Sequence, residues 1–257
     1  MDLRLDGERV KARLVDFLQR EFQNAGLTEG VLGLSGGIDS SVCAYLAAAA
    51  LGRDHVHAVM MPYRSSSPES RSDAELVVKE LGIRSEIVDI SPMVDPLLSA
   101  ARITDRIRAG NIMARERMIV LYDVSYREKG LVIGTGNKTE SLLGYTTLFG
   151  DSACALAPIA DLYKTQVRQL AQHLGVPARI IEKHPSADLW PGQTDEGELG
   201  FEYAAVDQLL SLMVDRRLDE QEILKAGFDA EMVRRVKEMI KRNRFKTAPP
   251  LVPRLTG

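Results

Sequence analysis

Cysteine is scarce in this chain: Cys43 and Cys154 are the only two among 257 residues, and there are just four histidines. Neither cysteine stands in a disulfide or metal-ligand spacing, and no HxxH or HExxH pattern occurs, so neither a structural zinc site nor a disulfide scaffold is expected. Charge of one sign is lacking as well. Lys and Arg number 33 against 36 Asp and Glu, a net charge of −3, which gives no general attraction to nucleic acid. Long apolar runs are missing: Val42 to Leu51 is too short and Ala-rich to span a bilayer. The start, Met1-Asp2-Leu3-Arg4, has no signal-peptide apolar core. The expectation is a cytoplasmic protein with no membrane and no nucleic-acid partner. An apolar content of 45% is enough for a substantial core.

The most informative stretch is Gly33-Leu34-Ser35-Gly36-Gly37-Ile38-Asp39-Ser40. An apolar Val31-Leu32 pair precedes it and an apolar run to Leu51 follows, which reads as strand, tight turn, helix. Glycines let the backbone turn sharply and approach a ligand, and a helix start offers unpaired N–H groups to a phosphate. Two other readings stay open at this point. An ordinary βα turn can carry Gly and Ser and bind nothing. Gly33-x-Ser35-x-Gly37 also matches a nucleophile elbow, although Ser35 comes early for one. A Walker A loop is ruled out because no Gly-Lys-Ser/Thr follows. Asp39 decides among phosphate readings: a carboxylate beside phosphates calls for a cation between them, which points to Mg²⁺ carried with a nucleotide.

Further along, helical spacing marks 8–25 and 40–51, with a strand at His55–Met61 whose two histidines read as structural. A polar loop follows over Pro62–Arg71, where Arg64 is a candidate for reaching a nucleotide. A helix over 72–81, a strand at Ser85–Ile90, a helix over 93–101 and a long amphipathic segment at 111–129 come next. A strand at Leu131–Ile133 leads into Gly134-Thr135-Gly136-Asn137-Lys138-Thr139-Glu140; Thr139 stands where a dinucleotide fingerprint needs its third Gly. Thr165 is read as the N-cap of a helix, with Lys164 just before it. Residues 184–200, which include Trp190, are long, Gly/Pro-rich and acidic, and read as a lid. The last third is helical, over about 201–214, 220–226 and 230–242, and the tail (Arg244, Lys246, Pro249, Pro250) is basic and then Pro-rich. The alternation predicts an α/β fold: a Rossmann-like, doubly wound parallel sheet flanked by helices, with a helical C-terminal part from about 200 to 257. In such a sheet the loops at 33–40 and 134–140 both lie at carboxyl ends of strands and face one pocket, where Asp39 and Glu140 hold one Mg²⁺ jointly.

Ser35-Gly-Gly-Ile-Asp-Ser40 resembles the SGGxDS loop of the ATP pyrophosphatase group. With Asn111-Ile-Met-Ala-Arg-Glu-Arg-Met118, Gly134–Glu140, Gly144-Tyr145, Leu162-Tyr-Lys-Thr-Gln-Val167 and Pro185–Gly200, the chain resembles the ammonia-dependent NAD synthetase family along nearly its whole length. The resemblance implies one domain over 1–257 with no glutaminase part, a homodimer with the dinucleotide site at the subunit interface, and deamido-NAD, ATP and ammonia as substrates. It implies ATP binding by Gly33 to Ser40, that is Gly33, Leu34, Ser35, Gly36, Gly37, Ile38, Asp39 and Ser40, and by Thr135, Lys164 and Ser186. It makes Asp39 and Glu140 the Mg²⁺ ligands and, with Lys164, the catalytic residues. Arg115, Phe245 and Lys246 match the deamido-NAD contacts. The family often has Lys and Asp where this chain has Leu148 and Ala155, both on the deamido-NAD side. Amidation of a different adenylated carboxylate is therefore the alternative expectation.

Overall fold

A computed structural model describes residues 3–186, 188–190, 192–248 and 252–253. Met1 and Asp2, Ala187 and Pro191 of the 185–200 stretch, and Pro249 and Pro250 of the tail lie outside the described residues. Helix α1 (Gly7–Ala25) starts where the Asp6 side chain accepts from the Arg9 N–H and stops at Gly26, whose φ of 65° ends it in a left-handed turn. The chain then alternates through β1 (Glu29–Gly33), α2 (Ile38–Leu51), β2 (Val56–Met60), α3 (Pro68–Leu81), β3 (Arg84–Ile87), α4 (Ser91–Ala100), α5 (Arg106–Glu128) and β4 (Gly130–Val132). The sheet is entirely parallel, in the order β3-β2-β1-β4. The chain winds outward from β1 to β3, then returns to place β4 on the other side of β1. That reversal opens a crevice between the carboxyl ends of β1 and β4, where both predicted loops lie.

Helices cover both faces, as a parallel sheet requires. On one face α1, α2 and the later helices α7 (Lys164–Leu174) and α8 (Ala178–Glu182) bury Leu18, Phe22, Leu46, Leu170 and Ile180. On the other, α4 and α5 bury Val94, Met113, Val120 and Val124 against Val31 and Val59 of the sheet. A third core gathers the C-terminal helices, α10 (Tyr203–Leu210), α11 (Glu220–Lys225) and α12 (Ala230–Asn243), around Tyr163, Tyr203, Leu209 and Val236. The short α6 (Lys138–Leu143) and α9 (Asp195–Leu199) border this core through Leu143 and Leu199. Among the described residues no helix is long and apolar enough to cross a membrane.

Several expected boundaries shift, each for a local reason. Helix α3 begins at Pro68 rather than at 72, because Ser67 caps it and Pro68 takes the first position; that turn is polar and shows no apolar period. Helix α5 begins at Arg106 rather than 111, capped by Asp105. Strand β3 ends at Ile87, yet Val88 and Ile90 still donate to the carbonyls of Met60 and Pro62, which is why the extended reading ran to 90. Thr165 is not the N-cap of α7: Tyr163 holds that position, and the Gln166 side chain accepts its N–H. The stretch 184–200 contains a helix, α9, and Leu189 joins the core beside α5.

Candidate active site

The βα turn after β1 is fixed by its own side chains. Gly36 has a φ of 78°, and a Cβ there would stand 2.1 Å from the Ser70 carbonyl oxygen, so the position requires glycine. The hydroxyls of Ser40 and Ser41 both donate to the Gly37 carbonyl, at 3.0 and 2.8 Å, and the Ser35 hydroxyl accepts from the Gly37 N–H at 3.2 Å. Gly37, Ile38, Asp39 and Ser40 at the start of α2 line a cleft of about 1450 Å³. The first N–H groups of a helix have no acceptor within it, so this edge of the cleft suits an anion. No histidine is hydrogen-bonded to Ser35 among the described residues, and its hydroxyl is engaged with Ser40 at 3.2 Å. The nucleophile-elbow reading has no base to work with.

Opposite this turn stand the residues of β4, α6 and α7. The Lys164 ammonium donates to Asp39 Oδ2 at 2.5 Å and to Glu140 Oε1 at 3.1 Å. Asn137 fixes the other side of Asp39, donating from Nδ2 to Oδ1 at 2.9 Å. Asn137 also caps α6 by accepting from the Glu140 N–H at 3.0 Å, while Glu140 Oε2 accepts from the Asn137 N–H. This capping box, signalled in the sequence by Asn-x-x-Glu, holds the Glu140 backbone and side chain together. The Tyr203 ring lies 5.3 Å from the Lys164 ammonium. The Tyr203 hydroxyl donates to Asp195 Oδ2 at 3.2 Å, and the Tyr145 hydroxyl, which donates to Glu198 Oε2 at 2.6 Å, lies 3.2 Å from Asp195 Oδ1.

Two carboxylates, Asp39 and Glu140, thus share one ammonium, and a third, Asp195, acts on it electrostatically. Burial alone would push the Lys164 ammonium toward deprotonation, but the three carboxylates outweigh it and keep it charged. Burial, with repulsion from Asp39 and Asp195, raises Glu140 from 4.5 to about 7 against the pull of Lys164. Asp195 is also raised, by burial first and by Asp39, against Lys164 and the tyrosine hydroxyls. Between pH 4.5 and about 7 folded Glu140 keeps a proton that the unfolded chain has released, so stability falls as pH rises through this window. Glu140→Gln removes that loss. In protein free of nucleotide and divalent cations, the substitution is therefore expected to raise the melting temperature more at pH 8 than at pH 5. An equal or smaller gain at pH 8 would contradict the assigned ionisation.

The same excess of carboxylate is the test of fit for a magnesium ion. Among the described residues no group of three His, Cys, Asp or Glu could hold a metal by itself. Mg²⁺ does not need one, since it keeps several waters and takes one or two carboxylates together with substrate phosphates. Asp39 and Glu140 both line the cleft and converge on the Lys164 ammonium, so two carboxylates meet on the wall where substrate phosphates would lie. The donor set fits.

Of the other expected site residues, Gly33, Leu34, Ser35, Thr135, Ser186 and Lys246 line the cleft. Lys246 is held there by the carbonyls of Gly144 and Thr146, at 2.7 and 2.8 Å. Gly36 lies behind the turn, against Ser70. Arg115 and Phe245 are exposed and outside the cleft wall; Arg115 donates to the Leu148 carbonyl at 3.2 Å. Arg64 turns to Asp95 and Tyr63 instead of into the cleft. Its neighbours Ser66, Ser67 and Ser70 line the wall. Arg117, which shares a motif with Arg115, points inward and donates to the Met61 carbonyl at 3.0 Å. Asn137, Asp195, Tyr203 and Arg117 were not singled out from the sequence. Asn137 had a local signal in its capping box, Arg117 in its motif and Asp195 in the Thr194 cap beside it, but their places in the site depend on contacts made by distant elements.

A family model described as NAD synthase matches residues 10–250. An NH(3)-dependent NAD(+) synthetase of Pelodictyon phaeoclathratiforme is 53% identical over 256 residues, covering 100% of this chain and 92% of the relative. Among solved structures, an NMN synthetase from Francisella tularensis matches with a TM-score of 0.87 and 32% identity, over 97% of this chain and 99% of that one. An NH3-dependent NAD synthetase from Campylobacter jejuni, in complex with the nitrate ion, gives a TM-score of 0.83 and 32% identity, over 97% and 100%.

Proposed function

The chain belongs to the NAD synthase family, and from that premise we infer that it amidates deamido-NAD to NAD with ammonia, using ATP as co-substrate. A carboxylate does not yield an amide with ammonia at neutral pH, because oxide is too poor a leaving group. The nicotinate carboxylate oxygen attacks the α-phosphorus of ATP, the bond to pyrophosphate breaks, and an acyl-adenylate forms. Ammonia then attacks the acyl carbon, the bond to AMP oxygen breaks, and one proton is released. The enzyme's part is to position the reactants and stabilise charge.

The observation that carries this reading is the Asp39–Lys164–Glu140 cluster set against the start of α2. In it the N–H groups of residues 38–40, at the start of α2, receive the departing pyrophosphate, and Thr135 and Ser186 contact the nucleotide. Lys164 neutralises phosphate charge while staying protonated between its two carboxylates. Asp39 and Glu140 would hold Mg²⁺, which supplies further neutralisation of the phosphates. Phe245 and Lys246 close on the acid substrate. Arg115 is exposed on α5, which also carries Ile107, Ile119 and Tyr126, 70%, 53% and 89% exposed, and it contacts Leu148, the neighbour of Phe149, 59% exposed. That apolar surface supports a homodimer in which Arg115 meets deamido-NAD at the interface. Leu148 meets Arg115 through its carbonyl, so that departure from the family pattern falls beside a residue assigned to the acid, and product analysis is what identifies the acid.

The test is product analysis with ATP, Mg²⁺ and ammonium, with and without deamido-NAD. AMP and NAD are expected in equal amounts. AMP release stimulated by the deamidated mononucleotide and not by deamido-NAD would replace the acid, and ADP in place of AMP would overturn adenylation.

A further inference from the structure

Asp207 lies on α10, is completely buried and stands outside every motif that marks the site. Its carboxylate takes two hydrogen bonds, each from a segment that carries a site residue. The Thr139 hydroxyl donates to Oδ1 at 2.6 Å, and the Thr165 N–H donates to Oδ2 at 2.8 Å. Thr139 Oγ1 in turn accepts from the backbone N–H of Lys164 at 3.0 Å. Thr139 immediately precedes Glu140, and Thr165 immediately follows Lys164. One carboxylate therefore ties together the starts of α6 and α7. One turn earlier on α10, Tyr203 sets its ring over the Lys164 ammonium, so the same helix fixes both the backbone and the head of this lysine.

The polarity of this network runs one way. Lys164 N–H donates to Thr139, Thr139 O–H donates to Asp207, and Thr165 N–H donates to Asp207. Only a carboxylate presents two acceptors to two donors; asparagine presents one acceptor and one donor. Thr139 is as fully buried as Asp207, so a lost bond is not replaced by bulk water and its cost falls on the geometry.

We propose that Asp207 is a positioning residue: it clamps the first turns of α6 and α7 so that Glu140 and Lys164 converge on Asp39. It is not among the residues lining the cleft and touches no reacting group. The kinetic consequence rests on the functional reading above, whereas the geometric one does not.

Four variants test it: Asp207→Asn; Thr139→Val, which removes the hydroxyl at nearly constant volume; Thr139→Ser, which keeps it; and the double variant combining Asp207→Asn with Thr139→Val. Each is assayed at 25 °C on protein shown to be folded by circular dichroism, and Asp207→Asn and Thr139→Val are crystallised. The kcat of Asp207→Asn and Thr139→Val is expected to fall about tenfold to a hundredfold, with the KM for deamido-NAD unchanged within a factor of about two. Thr139→Ser should stay near the parent, and the double variant should lose no more than Asp207→Asn alone. In the crystals the Lys164 ammonium should leave contact with Asp39 or Glu140, which it holds at 2.5 and 3.1 Å in the parent. Retention of both contacts in either variant would overturn the proposal, whatever happens to kcat, and so would a Thr139→Ser loss equal to that of Thr139→Val. If the parent makes no NAD, the functional reading fails, and the crystallographic arm still decides the clamp.

Discussion

Asp39→Asn is expected to lower kcat about a thousandfold or more while leaving the protein folded. The side chain keeps its size but loses its charge at the second residue of α2. One oxygen now accepts from the Lys164 ammonium and the other from Asn137 Nδ2; an amide can serve only one of these donors. The fold tolerates the change because Glu140 and Asp195 still compensate Lys164. Turnover does not, because one of the two carboxylates assigned to Mg²⁺ is gone. The activity that survives should need a higher Mg²⁺ concentration for half-saturation. Steady-state assays across a Mg²⁺ series check this. AMP release near the parental rate at parental Mg²⁺ would remove Asp39 from the metal role.

Lys164→Met should be at least as damaging, about a thousandfold in kcat, and should differ in its effect on the free protein. The lysine is 4% exposed and pairs with Asp39 and Glu140, and its ammonium offsets the charge of Asp195 as well. Methionine fills the space and leaves the three carboxylates without it. Repulsion that Lys164 now offsets would push Glu140 and Asp195 further toward their protonated forms. Each raised carboxyl holds a proton in the folded state that the unfolded chain releases, so stability falls as pH rises. The melting temperature of the variant should therefore drop more steeply than that of the parent between pH 6 and 8, without ligands present. Lys164→Arg should not rescue turnover, because a planar guanidinium does not fit a buried site shaped for a compact ammonium. A parallel pH dependence for Lys164→Met and parent would mean that the lysine is not the counter-charge of this cluster.

The parts of this site that were legible in the sequence are those whose chemistry is local. The turn at 33–40 needs adjacent glycines, serines and one aspartate, so the whole signal falls within eight residues. The parallel sheet was legible because β2 is a nearly continuous apolar run and the strands alternate with helices long enough for crossovers, whereas the edge strand β3, Arg84–Ile87, is polar and largely exposed. Asp207 was not, because its partner Thr139 lies 68 residues away and α10 otherwise reads as an ordinary apolar stripe. Asp195 was hidden in a stretch read as a lid, although Thr194 caps α9 beside it. Arg115 and Arg117 look equivalent as neighbouring charges in one motif. Only packing separates them, sending Arg117 to the Met61 carbonyl and Arg115 out toward Leu148. The late start assigned to α3 has the same origin: its first turn is polar, so its helicity shows only in the Ser67 cap.

The central claim is that this site activates a carboxylate by joining it to AMP. Oxygen-18 tracing tests that most directly. Deamido-NAD labelled with ¹⁸O in the nicotinate carboxylate is converted with unlabelled ATP and ammonium, and the nucleotide products are weighed by mass spectrometry. Attack on the α-phosphorus predicts that AMP carries one labelled oxygen and that pyrophosphate carries none. Label in inorganic phosphate with formation of ADP, or AMP without label, would contradict the account.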